Sequence, residues 1–326
     1  MFKFWRHWRE FYIVAVGISI LVTSCLLYLG HVSFMPLVFQ RMEALAYDLR
    51  MRLTLEDSNL DPIPPIFIVD IDERSLQREG QWPWPRYQLA NLIERLHQAG
   101  AAAIALDMTF PEPEANPLDE IKQRLGENFV MDANLRQHYA QLDGDQYFAQ
   151  HIKGKGVILG SLFHQTGTFQ KGELPAIAVD WQINSEGLPT SLVMKGYTAN
   201  LASLAAAASA TGFLNIFPDD DGVIRSAPLV LEWNQQLYPS LALQVARQYL
   251  ADEDQPIKLH TELVGKVAVI SQIEFAGKTI QTDPTGQVTI PFLGKSGKFK
   301  LFSATDVLHQ ALPTSLEGAI VLVGTS

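Results

Sequence analysis

Ile66-Phe67-Ile68-Val69-Asp70-Ile71-Asp72 is a short apolar run that ends in carboxylates, the pattern of a strand buried on both faces of a parallel sheet and emerging at its C-terminal edge. Beyond it, Trp82-Pro83-Trp84-Pro85-Arg86 leads into Tyr87 to Gln98, where Leu89, Leu92, Ile93 and Leu96 recur at three-to-four spacing before Gly100. That spacing predicts a helix with one apolar face, closed by the glycine. Ala101 to Phe110 then reads as a second strand. Strand, helix and strand in such short compass imply a right-handed crossover and a parallel pair. Pro111 to Pro117 reads as a loop, Leu118 to Gln150 as broadly helical, and Lys155 to Leu162 as a third strand.

Downstream the pattern changes. Gln165 to Thr198 is rich in Gly, Pro and Thr and reads as extended loops, followed by an alanine-rich helix from about Leu201 to Ala210. Gly212 to Trp233 predicts two strands around Asp219-Asp220-Asp221-Gly222, because Asp-Gly tolerates positive φ and favours a hairpin. Ser240 is expected to cap a helix to Leu250, with Leu243, Val245, Ala246 and Leu250 turned inward. Val267 to Phe292 predicts further strands, with turns at Gly277-Lys278 and Pro284-Thr285-Gly286. Ser303 or Thr305 is placed to cap a helix through Leu308 and Leu312, and Ala319 to Val323 reads as a closing strand. The expected class is α/β: a mixed, partly parallel sheet with flanking helices and a β-hairpin-rich insertion.

Upstream, Phe11 to Leu29 is nineteen residues without a charge, preceded by Lys3, Arg6 and Arg9. At 1.5 Å per residue it spans about 28 Å, close to the hydrocarbon thickness of a bilayer. The aromatic residues Phe2, Phe4, Trp5, Trp8, Phe11 and Tyr12 crowd one end, where amphipathic rings favour the interface, and the basic stub favours a cytoplasmic N-terminus, a preference that Arg41, Arg50 and Arg52 on the other side weaken. A cleaved signal peptide and a lipoprotein site at Val22-Thr23-Ser24-Cys25 are the alternatives. The continuation Leu26-Leu27-Tyr28-Leu29 argues against both. Gln40 to Leu55 has no Gly or Pro and places Met42, Leu45 and Leu49 on one stripe, the pattern of a stalk helix that packs on its own domain or pairs with a second subunit. Asp61-Pro62-Ile63-Pro64-Pro65 ends it. The expected organisation is a cytoplasmic stub at 1–10, a transmembrane helix and exit at 11–39, a stalk at 40–60 and an extracytoplasmic domain at 61–326, in a bacterial inner membrane.

Composition narrows the function. An apolar fraction of 47% excludes disorder. The first ten residues hold three of the 25 Lys and Arg and one of the 35 Asp and Glu, so the remainder carries −12, a balance unsuited to nucleic acid. Cys25 is the only cysteine, so the external part has no disulfide, thiolate nucleophile or cysteine metal site; this fits a bacterial periplasmic domain. No GxxxxGK[ST], strand-linked GxGxxG, HExxH or Gly-x-Ser-x-Gly pattern is present. The Asp219-Asp220-Asp221 turn lacks the spread of ligands and closing Glu of a calcium loop. No cofactor or metal is expected, and no catalytic site is recognised.

Asp70, Asp72 and Asp107 fall at predicted C-terminal strand ends, outside which open α/β sheets bind ligands. They suit a metal, a cationic ligand or acid–base work; equally, they cap helices or pair with Arg74 and Arg86. Trp82 and Trp84 sit on a proline-stiffened segment followed by Arg86 and read either as a binding rim or as a plug over a sheet edge.

Phe67 to Asp72 with Ser75, Gly80 and Trp82 to Arg86; Ala105-Leu106-Asp107 with Phe110; Gly212, Asn215, Asp219-x-Asp221-Gly222-x-x-Arg225 and Pro228-Leu229; Pro239 to Leu243; Asp306-Val307-Leu308; and Leu316 to Gly324 together resemble the type-two CHASE domain, an extracellular sensory module of bacterial receptors. Asp48-Leu49-Arg50 on the stalk fits as well. The resemblance runs from about Tyr47 to Gly324, and no single motif carries it. It implies further membrane helices and a cytoplasmic output, an adenylate or guanylate cyclase or a histidine or serine/threonine kinase, beyond the residues of this chain. It supplies no ligand. The expectation is a membrane-anchored sensor for a small molecule or protein, homodimeric through stalk and span, with Asp70, Asp72, Trp82, Trp84, Arg86, Asp107, Asn215 and Arg225 as candidate ligand contacts. The alternatives are an anchored periplasmic hydrolase using Asp70, Asp72 and Asp107, and a dimerising spacer without ligand.

Overall fold

The computed structural model of the chain describes residues 65–126, 133, 142–175, 179–185, 187–250, 255–293, 297–310 and 315–325, with residues 16, 18–20, 41–42 and 45–51 before them. The early residues 16, 18–20, 41–42 and 45–51 are helical, and the stalk side chains Met42, Leu45 and Leu49 are exposed. Among the described residues no helix is long and apolar enough to cross a membrane; the expected span at Phe11 to Leu29 lies almost wholly outside them.

In chain order the elements begin with β1 (Ile66–Asp70), α1 (Glu73–Glu79), α2 (Arg86–Gln98), β2 (Ala103–Leu106), α3 (Pro117–Leu125), α4 (Gly144–Ile152) and β3 (Val157–His164). Short strands follow: β4 (Gln170–Lys171), β5 (Trp181–Ile183), β6 (Val193–Met194) and β7 (Gly196–Thr198). Next come α5 (Ala202–Ala207), β8 (Ala210–Phe213), β9 (Ser226–Pro228), β10 (Val230–Trp233), β11 (Gln236–Pro239) and α6 (Leu241–Tyr249). The remainder is β12 (Ile257–Val264), β13 (Val267–Phe275), β14 (Lys278–Gln281), β15 (Gln287–Thr289), β16 (Lys300–Ser303), α7 (Ala304–His309) and β17 (Ile320–Gly324).

The expected parallel layer is present, in the order β16–β1–β17–β2–β3–β8 with every neighbouring pair parallel. β17 occupies the slot between β1 and β2: Ile66 to Asp70 align with Ile320 to Gly324, and Ile320 to Val323 align with Ala103 to Leu106. Because side chains alternate along a strand, Val69, Val323, Leu106 and Leu159 face one side, against Leu89, Leu92, Ile93 and Leu96 of α2, Phe148 and Ile152 of α4 and Val307 of α7. Ala103, Ala105, Ile158 and Ile320 face the other, under Leu241, Val245 and Tyr249 of α6. Full burial of each large apolar side chain contributes about 1.5–3 kcal/mol. Local sequence sets the connections. Asp72 caps α1 by accepting from the Ser75 amide, and α1 stops at Gly80 with φ 104°. Gly100, at φ 98°, ends the turn after α2, and its carbonyl accepts from the Gly318 amide. A Cβ there would lie 2.9 Å from Glu317 Cα.

The hairpin-rich insertion forms a β14–β13–β12–β5 sheet and a β11–β10–β6 sheet, around a second apolar cluster that includes Val230, Leu237, Leu243, Ile257 and Ile273. Several expectations are corrected. Asp219 to Gly222 does not close a hairpin: β8 pairs with β3 and β9 with β15. The tight two-residue turn is instead Asn234-Gln235, both at positive φ, the conformation that matches strand twist. Within the stretch 118–150 expected to be broadly helical, the described residues form α3, ended at Gly126 with φ 59°, and α4, capped by Asp143; most of the residues between them lie outside those described. The third strand starts two residues late because Gly154 and Gly156 turn at positive φ. Leu250 is exposed, whereas Gln244 and Arg247 are the polar residues that α6 buries.

The central strand generates a contrast. Val321, fully buried in β17, and Leu301, 59% exposed on the edge strand β16, lie in one sheet. Val321→Ala is expected to lower unfolding free energy by about 2 kcal/mol, and Leu301→Ala to change it by less than about 0.5 kcal/mol. Denaturant titration of both variants checks this.

Candidate functional site at the carboxyl edge of the parallel sheet

Three strands of the sheet end side by side. The ladder continues past them through Ile71 N–H to Gly324 O and Asp107 N–H to Val323 O, each 2.8 Å. Asp70, Gly324 and Asp107 therefore stand in one row on one face, with the two aspartate Cα atoms two strand spacings, about 10 Å, apart. Gly324 leaves the gap between them open, since a Cβ there would come within 3.4 Å of the Asp107 Cβ. Asp70 is buried, whereas Asp107 opens to solvent on one side. Protein packed round the rest of Asp107 raises its carboxyl above the ordinary aspartate value. Among the described residues no basic side chain forms an ion pair with Asp107.

Asp72 has a different task. Its Oδ1 accepts from the Ser75 amide at 2.8 Å and from the hydroxyls of Ser75 and Ser303 at 2.6 and 2.8 Å. Burial pushes its carboxyl up, and these hydrogen bonds more than offset that, leaving it below the ordinary value. Ser75 Oγ also accepts from the Thr305 amide at 3.1 Å. Asp72 thus caps α1 and, through Ser75, satisfies the first turn of α7 where β16 ends.

The tryptophan segment splits. Trp84 is 2% exposed, donates its indole N–H to Gly80 O at 2.9 Å and packs with the helix-side core. Trp82 is half-buried against the same core. Trp84 is thus part of the helix-side core, and of the two indoles only Trp82 keeps accessible surface. Arg86, at the start of α2, donates from Nε to Asp145 Oδ1 at 2.7 Å and from Nη2 to Glu112 O at 3.0 Å, with its guanidinium 4.6 Å from the Phe110 ring centroid. The Glu114 amide donates to Asp145 Oδ2 at 2.8 Å. Arg86 is engaged in holding the loop after β2 to α4.

Asn215 and Arg225 also have structural partners. Asn215 accepts from Phe163 N–H and donates to Phe163 O, both at 2.8 Å, continuing the ladder from β8 to β3 with a side chain. Arg225 donates to Asp219 and Asp221 at 2.8–2.9 Å and closes the 219–225 turn. Its hydrogen bonds hold the Asp221 carboxyl down at about 2. Asn200, fully buried, accepts from Phe110 N–H and donates to Gly160 O; no motif singled it out. Gly324 was part of a strand signature, but nothing in the sequence placed it between Asp70 and Asp107. Among the described residues no group of three or more His, Cys, Asp or Glu is arranged to hold a metal ion. The edge thus sets a buried carboxylate, Asp70, and an exposed one, Asp107, on either side of Gly324.

A family model described as the CHASE2 domain matches residues 18–326. No curated protein and no solved structure matches the chain.

Because the folded state raises the Asp107 carboxyl, protonated Asp107 favours folding below the unfolded value near 4, and that contribution is lost as pH rises through the folded value. Asp107→Asn is therefore expected to unfold at a higher temperature than the parent at pH 7, the difference vanishing below about pH 4. Melting curves across pH 3–8 test this.

Proposed function

The chain belongs to the CHASE2 domain family, a family of extracellular sensory domains, and from that membership we propose that it is the signal-input portion of a bacterial transmembrane receptor. In this reading residues 11–29 anchor it in the inner membrane with the N-terminus cytoplasmic, and the α/β domain lies in the periplasm. The receptor's output is a nucleotide cyclase or a kinase. The family match over residues 18–326 carries the proposal, and favours a sensor over a hydrolase or an inert spacer.

The signal is read at the Asp70–Gly324–Asp107 row. A small cation or a donor-rich molecule bridging the two carboxylates would tie together the ends of β1, β17 and β2. Binding shifts the receptor only in so far as the two signalling states hold the ligand with different affinity. A tenfold difference corresponds to about 1.4 kcal/mol. The stalk stripe Met42, Leu45 and Leu49 is exposed and supports pairing of two subunits, through which such a shift reaches the span.

Two experiments bear on this. Fusing residues 1–326 in place of the input domain of a membrane-bound cyclase should give a reporter that answers to periplasmic extract. Asp70→Asn with Asp107→Asn should reduce that response at least about tenfold without loss of folded protein; an unchanged response removes the row from the mechanism. Cysteines placed singly at Met42, Leu45 and Leu49, with Cys25→Ser, should crosslink between subunits in membranes. Their absence as dimers refutes the paired stalk.

A further inference from the structure

We draw no further inference here: the strongest candidate, the exposed apolar tip of the β12–β13 hairpin formed by Leu263, Val264 and Val267, is an unpartnered surface patch, and nothing in the structure shows what covers it.

Discussion

Insertion of β17 between β1 and β2 is the constraint on which the rest of this domain depends. Without Ile320 to Gly324 the parallel layer has no continuous centre, because β1 and β2 do not pair with each other. Both faces of the inserted strand are apolar and largely buried, so it adds core to the α2 side and to the α6 side together. Its approach is prepared by contacts at the bottom of the sheet. Leu316 N–H donates to Ala99 O and Gly318 N–H to Gly100 O, so the end of the α2 turn guides the incoming chain into its slot. Such long-range closure lets the layer complete itself only after residues about 250 positions apart have met, which makes a slow, cooperative folding step.

The carboxylate row inherits its geometry from that insertion. Asp70 and Asp107 belong to different strands, and only the strand between them determines both their spacing and the gap in which a ligand would sit. The neighbouring polar groups have other work. Asp72 with Ser75, Ser303 and Thr305 joins the first turns of α1 and α7, and Arg86 with Asp145 fixes the loop after β2. These networks satisfy buried donors and acceptors that would otherwise destabilise the edge. Asp107, which belongs to neither network, is open to solvent on one side, and protein packed round the rest of it raises its carboxyl above the ordinary value.

Much of the architecture was legible because period and punctuation agree locally. Ile66 to Asp70 ends in a carboxylate where the sheet ends, Leu89 to Leu96 lies on one helical face and Gly100 stops it, and Ser240 caps α6 through the Leu243 amide. Strand order was not legible. A five-residue apolar strand carries no address for its partner, so nothing within Ile320 to Val323 says that it enters the middle rather than the edge. The Asp219 turn misled for a similar reason: Asp-Gly specifies a chain reversal, and Arg225, four residues beyond Asp221, closes it without any strand pairing. For the candidate contacts, residue type was a poor guide where a partner lay far along the chain. Arg86 meets Asp145 across 59 positions and Asn215 meets Phe163 across 52, separations that leave no periodic trace.

Parallel pairing of β1 with β17 has a mechanical consequence. The chain enters β1 at the lower margin of the sheet and leaves β17 at the upper one, with the two strands adjacent and in register from Ile66–Ile320 to Asp70–Gly324. Tension between residues 65 and 325 therefore acts along the strands and in opposite directions on the two. It loads the whole ladder in shear, so that its hydrogen bonds share the force instead of opening one after another. β2 and β16 brace the pair from outside. A domain strung in this way transmits a pull from one end to the other as a stiff link, and yields only when the whole central ladder gives way.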